Sequence, residues 1–166
     1  MIRNTSKNIF VIMVGGLGAR LRPYTYSLPK PLLTASGISP LENSIKNIKK
    51  ESNTSKIYLV VGYKKDTFKN WVKKKKLKNI SFISEKTPLG TAGSLKNFVK
   101  KKFKNLVLIN GDLFFQINFK TLMNHHKKNN FEATICTKKN ITSIPYAILK
   151  KKNNKVFFQE KPKISH

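Results

Sequence analysis

Residues Met13–Leu33 read MVGGLGARLRPYTYSLPKPLL, and they follow the apolar run Ile9–Val14, IFVIMV. The stretch packs three glycines, two of the chain's three arginines, three prolines and a lysine into one loop-like segment. It admits three readings: a targeting leader, a dinucleotide-binding turn, or a loop shaped around another ligand. A secretory leader needs an apolar core of roughly 7–15 residues and a small-residue cleavage site. Here the apolar run stops after six residues at Gly15-Gly16, and Arg20 and Arg22 follow at once. A P-loop needs G-x-x-x-x-G-K-[ST], and a dinucleotide fingerprint needs a third glycine where this chain has Ala19-Arg20-Leu21. The run Ile9–Val14 therefore reads as a first buried strand, and the glycines as a turn that lets backbone N–H groups approach a ligand.

Working outward, apolar β-rich runs alternate with segments of helical spacing. Strands are expected at Asn8–Val14, Lys56–Val61, Ile80–Ser84, Leu106–Asn110 and Ala133–Thr137. Helices are expected at Leu41–Lys50, Thr67–Lys75, Thr91–Lys102 and Phe119–Lys128. Two late runs, Pro145–Leu149 and Val156–Gln159, flank the turn-like Lys152-Asn153-Asn154-Lys155 and read as a hairpin. Alternation of this kind predicts an α/β fold: a Rossmann-like three-layer sandwich, its mainly parallel sheet covered by helices on both faces. No repeat or Pro/Gly/Ser linker interrupts 1–166, so one domain is expected.

The bulk numbers set limits on function. With 34 Lys+Arg against 7 Asp+Glu, the formal net charge is +27. Arg occurs only at positions 3, 20 and 22, while lysines lie in many short runs, such as Lys73–Lys76 and Lys127–Lys128. That distribution reads as a solvated basic surface rather than a nucleic-acid face, so nucleic acid is not the expected partner. The single Cys136 fits a reducing, cytoplasmic setting. No apolar run approaches the ~18 residues that span a bilayer, so membrane insertion is not expected.

In open α/β sheets ligands bind beyond the carboxyl ends of the strands. The special residues fall there: Gly15, Gly16 and Gly18 after the first strand, Glu85–Thr91 after the third, Gly111-Asp112 after the fourth. Arg20 and Arg22 stand behind the glycine turn, and a guanidinium presents a planar fork to phosphate oxygens. Lys30 is bracketed by Pro29 and Pro31, which should hold it extended and deliver its charge to one place. Asp66 is expected to cap a helix, Cys136 to lie in the core, and Phe68 and Trp71 to form a helix's apolar face. The adjacent His125-His126 point in different directions on a helix, so no metal site is expected of them.

These residues resemble the signature G-G-x-G-[ST]-R-L-x-P-x-T-x-x-x-P-K-P of the sugar-nucleotide nucleotidyltransferases, the nucleoside-diphosphate-sugar pyrophosphorylases. Further segments agree in order: EKTPLGTAGSL (Glu85–Leu95), LVLINGDLFF (Leu106–Phe115), IPYAIL (Ile144–Leu149) and FQEKP (Phe158–Pro162). The PLGTAG form is most similar to the guanylyltransferase branch, close to mannose-1-phosphate guanylyltransferase-like members. The resemblance implies transfer of a nucleotidyl group from an NTP, GTP before UTP, to a sugar 1-phosphate for glycan biosynthesis.

The attacking phosphate oxygen in that reaction is already anionic, so positioning and charge neutralisation suffice without a protein nucleophile. By resemblance, Gly15, Gly16 and Gly18 hold the triphosphate, Arg20 neutralises the leaving pyrophosphate, and Lys30 contacts substrate phosphates. Asp112, one of two aspartates in the chain, would ligate the cofactor Mg2+. Glu85, Leu89 and Gly90 match positions around the base, and Glu160 and Lys161 match the pair that meets the sugar phosphate. Ala19 departs from the usual Ser/Thr, and Ala147 from a usual Gly beside the sugar. The chain ends at His166, where family members continue with a further pocket loop and a second acidic metal ligand. A C-terminally incomplete domain is thus expected, and homo-oligomers are compatible with it. Two other readings stand beside the enzyme: a catalytically inactive nucleotidyltransferase-like binding or regulatory module, and a basic nucleic-acid-binding protein.

Overall fold

The computed structural model describes residues 8–51, 55–85, 90–98 and 103–165. The chain divides into two compact units that part between Asn124 and His125. The first is built on four strands, β1 (Ile9–Met13), β2 (Lys56–Val61), β3 (Ile80–Ser84) and β4 (Leu106–Asn110). They form one parallel sheet in the order β3-β2-β1-β4, with Met13 opposite both Val60 and Asn110. The expected strands therefore form in place, and β1 and β2 are buried on both faces, as their continuous apolar sequences require.

Side chains alternate between the two faces of the sheet. Phe10, Ile12, Ile57, Leu59 and Val61 share one core with Leu41, Ile45 and Ile48 of α2 (Pro40–Glu51), Phe68 of α3 (Lys65–Lys74) and Phe119 of α5 (Phe119–Lys128). Val11, Tyr58 and Val60 face the opposite way and pack with Phe98. Fully burying one such aliphatic side chain contributes about 1.5–3 kcal/mol, so these layers carry the unit. Phe68 is fully buried and Trp71 packs beside it, as expected.

Local signals explain where the helices start. Ser39 Oγ accepts a hydrogen bond from the Glu42 amide at 3.2 Å, with Pro40 as the first helical residue of α2. The Glu42 carboxylate then ties α2 to α3, meeting Lys46 and Lys75 at 3.1 Å each. Its burial alone would raise the pKa, but the two ammonium groups outweigh it and hold the carboxyl below its ordinary value.

Two expectations about elements of this unit are corrected. Asp66 does not cap α3. The cap position is Lys64, at φ 52 with no side-chain bond, and Asp66 lies in the first turn and pairs with Lys69 at 3.1 Å. A carboxylate there still complements the helix dipole. The segment expected as a helix over Thr91–Lys102 forms only the short turn α4 (Gly90–Gly93), then a 3₁₀ stretch over Ser94–Phe98. Gly90 and Gly93 are poor helix formers, and Phe98 at the end of the stretch is buried. Residues 99–102 lie outside the described part.

The second unit, His125–His166, contains two antiparallel pairs, β5 (Ile141–Ser143) with β8 (Lys163–Ser165) and β6 (Ile148–Lys152) with β7 (Lys155–Gln159). The expected hairpin forms, its strands shifted to put Asn153-Asn154 in the turn at φ 46 and 60. Positive φ at both positions is what a two-residue hairpin turn needs, and Asn tolerates it. Ala133–Thr137, by contrast, forms no strand. Ile135 is 84% exposed and Cys136 is exposed rather than in a core. An apolar run becomes a strand only when neighbours complete its hydrogen bonds, and none of the described strands pairs with it.

Candidate functional site

Beyond the end of β1 the chain turns over Gly15–Gly18 into a 3₁₀ turn (Ala19–Leu21), the short helix α1 (Tyr24–Ser27) and a second 3₁₀ turn (Lys30–Leu32). Gly18 sits at φ 65 and ψ 28, the left-handed region. Its carbonyl accepts from the Leu21 amide at 2.9 Å and from Thr25 Oγ1 at 3.0 Å. Thr25 is 1% exposed, and its own carbonyl accepts from the Tyr63 hydroxyl at 3.4 Å. The loop is thus tied to its own downstream helix and to the segment after β2.

Lys30 does not take the extended conformation expected of it. It opens the second 3₁₀ turn, closed by Leu32 N–H to Pro29 O at 2.8 Å and Leu33 N–H to Lys30 O at 3.1 Å. Pro31 is tolerated because its missing N–H falls where a first turn leaves donors unused. The prolines still act as stiff supports, but through a turn.

An open cleft of about 430 Å³ lies at the carboxyl ends of β1 and β4. Gly16, Gly18, Arg20, Lys30 and Asp112 all line it. Lys30 Nζ meets Asp112 Oδ2 at 2.6 Å, and both side chains are 38% exposed. Arg20 is exposed and makes no ion pair among the described residues. Asp112 is carried on a tight backbone corner: Gly111 donates to Met13 O at 2.9 Å. A Cβ at Gly111 would lie 2.5 Å from Val14 Cγ1 and 2.7 Å from Met13 O. Only glycine lets β4 approach β1 closely enough to set Asp112 opposite Lys30.

The other anticipated residues fall as follows. Gly15 stands beside the cleft against Gly62, where a Cβ would come 3.1 Å from the Gly62 nitrogen. Glu85 follows β3 and donates its amide to Val61 O at 2.9 Å. Its Oε1 is buried without a hydrogen-bond partner among the described residues. Gly90 begins α4 at φ 73, with no described atom within 4 Å of where a Cβ would lie. Leu89 lies outside the described residues. Glu160 and Lys161 belong to the second unit, exposed between β7 and β8, with Lys161 at φ 41. His125 and His126 lie in that unit too, and His126 Nδ1 is 2.9 Å from Thr134 Oγ1.

Residue-by-residue reading missed Thr25, Gly62 and Asn110, the last of which also lines the cleft, and it named Gly111 without its packing role. Thr25 had a signal, since it stands at the Thr of the signature. The others act through close approach between strands, which no local spacing reveals. Chemically, a cleft with a glycine loop, two cations and one carboxylate suits a polyanion. Asp112 is one hard oxygen ligand, and Mg2+ commonly takes one or two carboxylates plus phosphate oxygens, so the donor set fits that ion with a phosphate substrate.

Comparisons with known proteins agree with this geometry. The family model described as nucleotidyl transferase matches residues 9–166. A mannose-1-phosphate guanyltransferase from Yarrowia lipolytica is 35% identical over 161 residues, covering 92% of this chain and 44% of that protein. The bifunctional protein GlmU from Methanococcus maripaludis is 34% identical over 118 residues, 69% of this chain and 27% of its own length. The chain thus spans less than half the length of these relatives. Among solved structures, HddC from Yersinia pseudotuberculosis, complexed with GMP-PN, superposes with a TM-score of 0.62 at 24% identity. That match covers 96% of this chain and 72% of HddC, and it supports the fold.

Proposed function

The chain belongs to the nucleotidyl transferase family, and from that premise we propose that its cleft transfers a nucleotidyl group from a nucleoside triphosphate to a sugar 1-phosphate. The products are a nucleoside diphosphate-sugar for glycan synthesis and pyrophosphate. The observation that carries the reading is the convergence of Gly16, Gly18, Arg20, Lys30 and Asp112 on one cleft. In the reaction, an anionic oxygen of the sugar phosphate forms a bond to the α-phosphorus. The bond from that phosphorus to the bridging oxygen breaks, and pyrophosphate leaves with the electron pair. No proton must be moved, so the residues need only align and neutralise two polyanions.

The loop amides at Gly16 and Gly18 face the phosphates, and Arg20 lies where charge builds on the leaving pyrophosphate. Lys30 bridges substrate phosphate oxygens. Asp112 would hold Mg2+, which would supply positive charge to offset that of the phosphates. GTP is favoured over UTP on the strength of Glu85, whose buried Oε1 has no partner among the described residues. A carboxylate accepts from the adjacent N1–H and N2–H donors of guanine, whereas uracil offers a single N–H between two carbonyls. Glu160 and Lys161 are proposed to meet the sugar phosphate. The reaction draws on a nucleoside triphosphate pool, so the proposed location is the cytoplasm; no described helix is long and apolar enough to cross a membrane.

The test is pyrophosphate release from GTP or UTP with Mg2+ and a panel of sugar 1-phosphates. Nucleotide binding without turnover on any sugar phosphate would replace the enzyme reading with that of a binding module. One observation favours that second reading: Asp112 is the single carboxylate lining the cleft among the described residues.

A further inference from the structure

The two cations of the cleft differ in state. Arg20 is unpaired among the described residues, whereas the ammonium of Lys30 is held 2.6 Å from Asp112 by side chains 82 positions apart in sequence. Neither partner reaches across on a loose tether. Lys30 rises from a 3₁₀ turn between two prolines, its Cβ only 3.2 Å from where a Gly18 Cβ would lie. Asp112 rises from the Gly111 corner locked to Met13. The pair is therefore built into the nucleotide-free cleft.

We infer that Asp112 masks Lys30, so that the lysine becomes a phosphate ligand only when the carboxylate is neutralised by a divalent cation. The inference rests on the proposed triphosphate reading of the cleft. A triphosphate arriving without metal meets one open cation, Arg20, and a carboxylate that both repels it and occupies Lys30. With the carboxylate neutralised, Arg20 and Lys30 act together. Metal and nucleotide then strengthen each other's binding reciprocally, and Lys30 carries part of that coupling.

Simple repulsion between Asp112 and the phosphates would also make metal helpful, so the test must separate the two. Nucleotide binding by the full chain is titrated in EDTA with GTP as probe, for wild type, Asp112→Asn, Lys30→Met and the double variant. Exposed ion pairs are worth up to about 1 kcal/mol, so Asp112→Asn should tighten metal-free binding roughly three- to fivefold. In the Lys30→Met background the same change should gain clearly less, because it then removes only the repulsion and there is no lysine left to release. Lys30→Met should also reduce the stimulation of GTP binding by Mg2+.

An equal gain in both backgrounds would overturn the mask in favour of direct repulsion, and so would the absence of any gain. Inorganic tripolyphosphate serves as a second probe. If it shows the cycle while no nucleotide binds, the nucleotide reading fails and the mask stands; if neither probe binds, both fail. Both side chains are half exposed, so the variants should melt within a few degrees of wild type. A second neutral pair, Lys30→Gln with Asp112→Ser, repeats the cycle should either first variant prove unstable.

Discussion

Replacing Gly18 by alanine puts the loop geometry under direct test, because two independent penalties meet at that position. Its φ of 65 lies in the left-handed region, which costs an L-residue about 1–2 kcal/mol. The added methyl would sit 2.9 Å from Thr25 Cγ2 and 3.2 Å from Lys30 Cβ, inside the ~3.5–4.0 Å that carbon atoms prefer. Thr25 is buried and hydrogen-bonded, so it cannot move aside freely, and overpacking of this kind costs about 1–3 kcal/mol. Together these predict a loss of about 2–5 kcal/mol, at the lower end if the loop relaxes.

Gly16→Ala is the internal control. Gly16 lines the same cleft, has no positive φ, and nothing stands within 4 Å of its would-be Cβ. Equilibrium urea unfolding of both variants, with a common slope, measures the difference. Gly18→Ala should be clearly destabilised and Gly16→Ala should stay within about 0.5 kcal/mol of wild type, as surface changes usually do. A Gly18→Ala loss below that figure, or equal losses at the two glycines, would refute the claim that this loop is fixed at Gly18 by Thr25 and Lys30.

Two more expectations follow from named contacts. Thr25→Val keeps the shape but removes the donor to Gly18 O, which should cost about 1–3 kcal/mol in urea unfolding and weaken nucleotide binding; Thr25→Ser, which keeps the hydroxyl, should restore most of both. For Glu42 the folded pKa lies below the ordinary value of 4.5, so its stabilising contribution is present above the unfolded pKa and fades as pH falls through the folded one. Glu42→Gln should therefore lower the melting temperature at pH 7, and the gap to wild type should narrow below about pH 4. A gap that is constant over that range would show that the Lys46 and Lys75 contacts do not act through the carboxylate charge.

The sequence by itself determined what is local. The apolar runs of β1 and β2 announced buried parallel strands because a strand covered on both faces must be apolar throughout. The Asn-Asn turn announced its hairpin, and the glycine loop announced the bend that carries Arg20 and Lys30 to the cleft. Where a reading depended on a partner it had less to go on. Ala133–Thr137 has the composition of a strand, but none of the described strands completes its hydrogen bonds, and Cys136 is exposed with it. Asp66 has the composition of a cap, yet the helix begins one residue before it.

Tertiary structure decided what happens across the sheet. Parallel pairing of β1 with β4 sets Met13 opposite Asn110, and only then does the corner at Gly111 bring Asp112 within 2.6 Å of Lys30. Thr25 likewise gains its task only in the folded chain, through burial and its bond to Gly18. The physical reason is common to all of these. Backbone preference and apolar periodicity are written in neighbouring residues, whereas close approach, charge pairing and strand completion depend on groups that only the folded chain brings together.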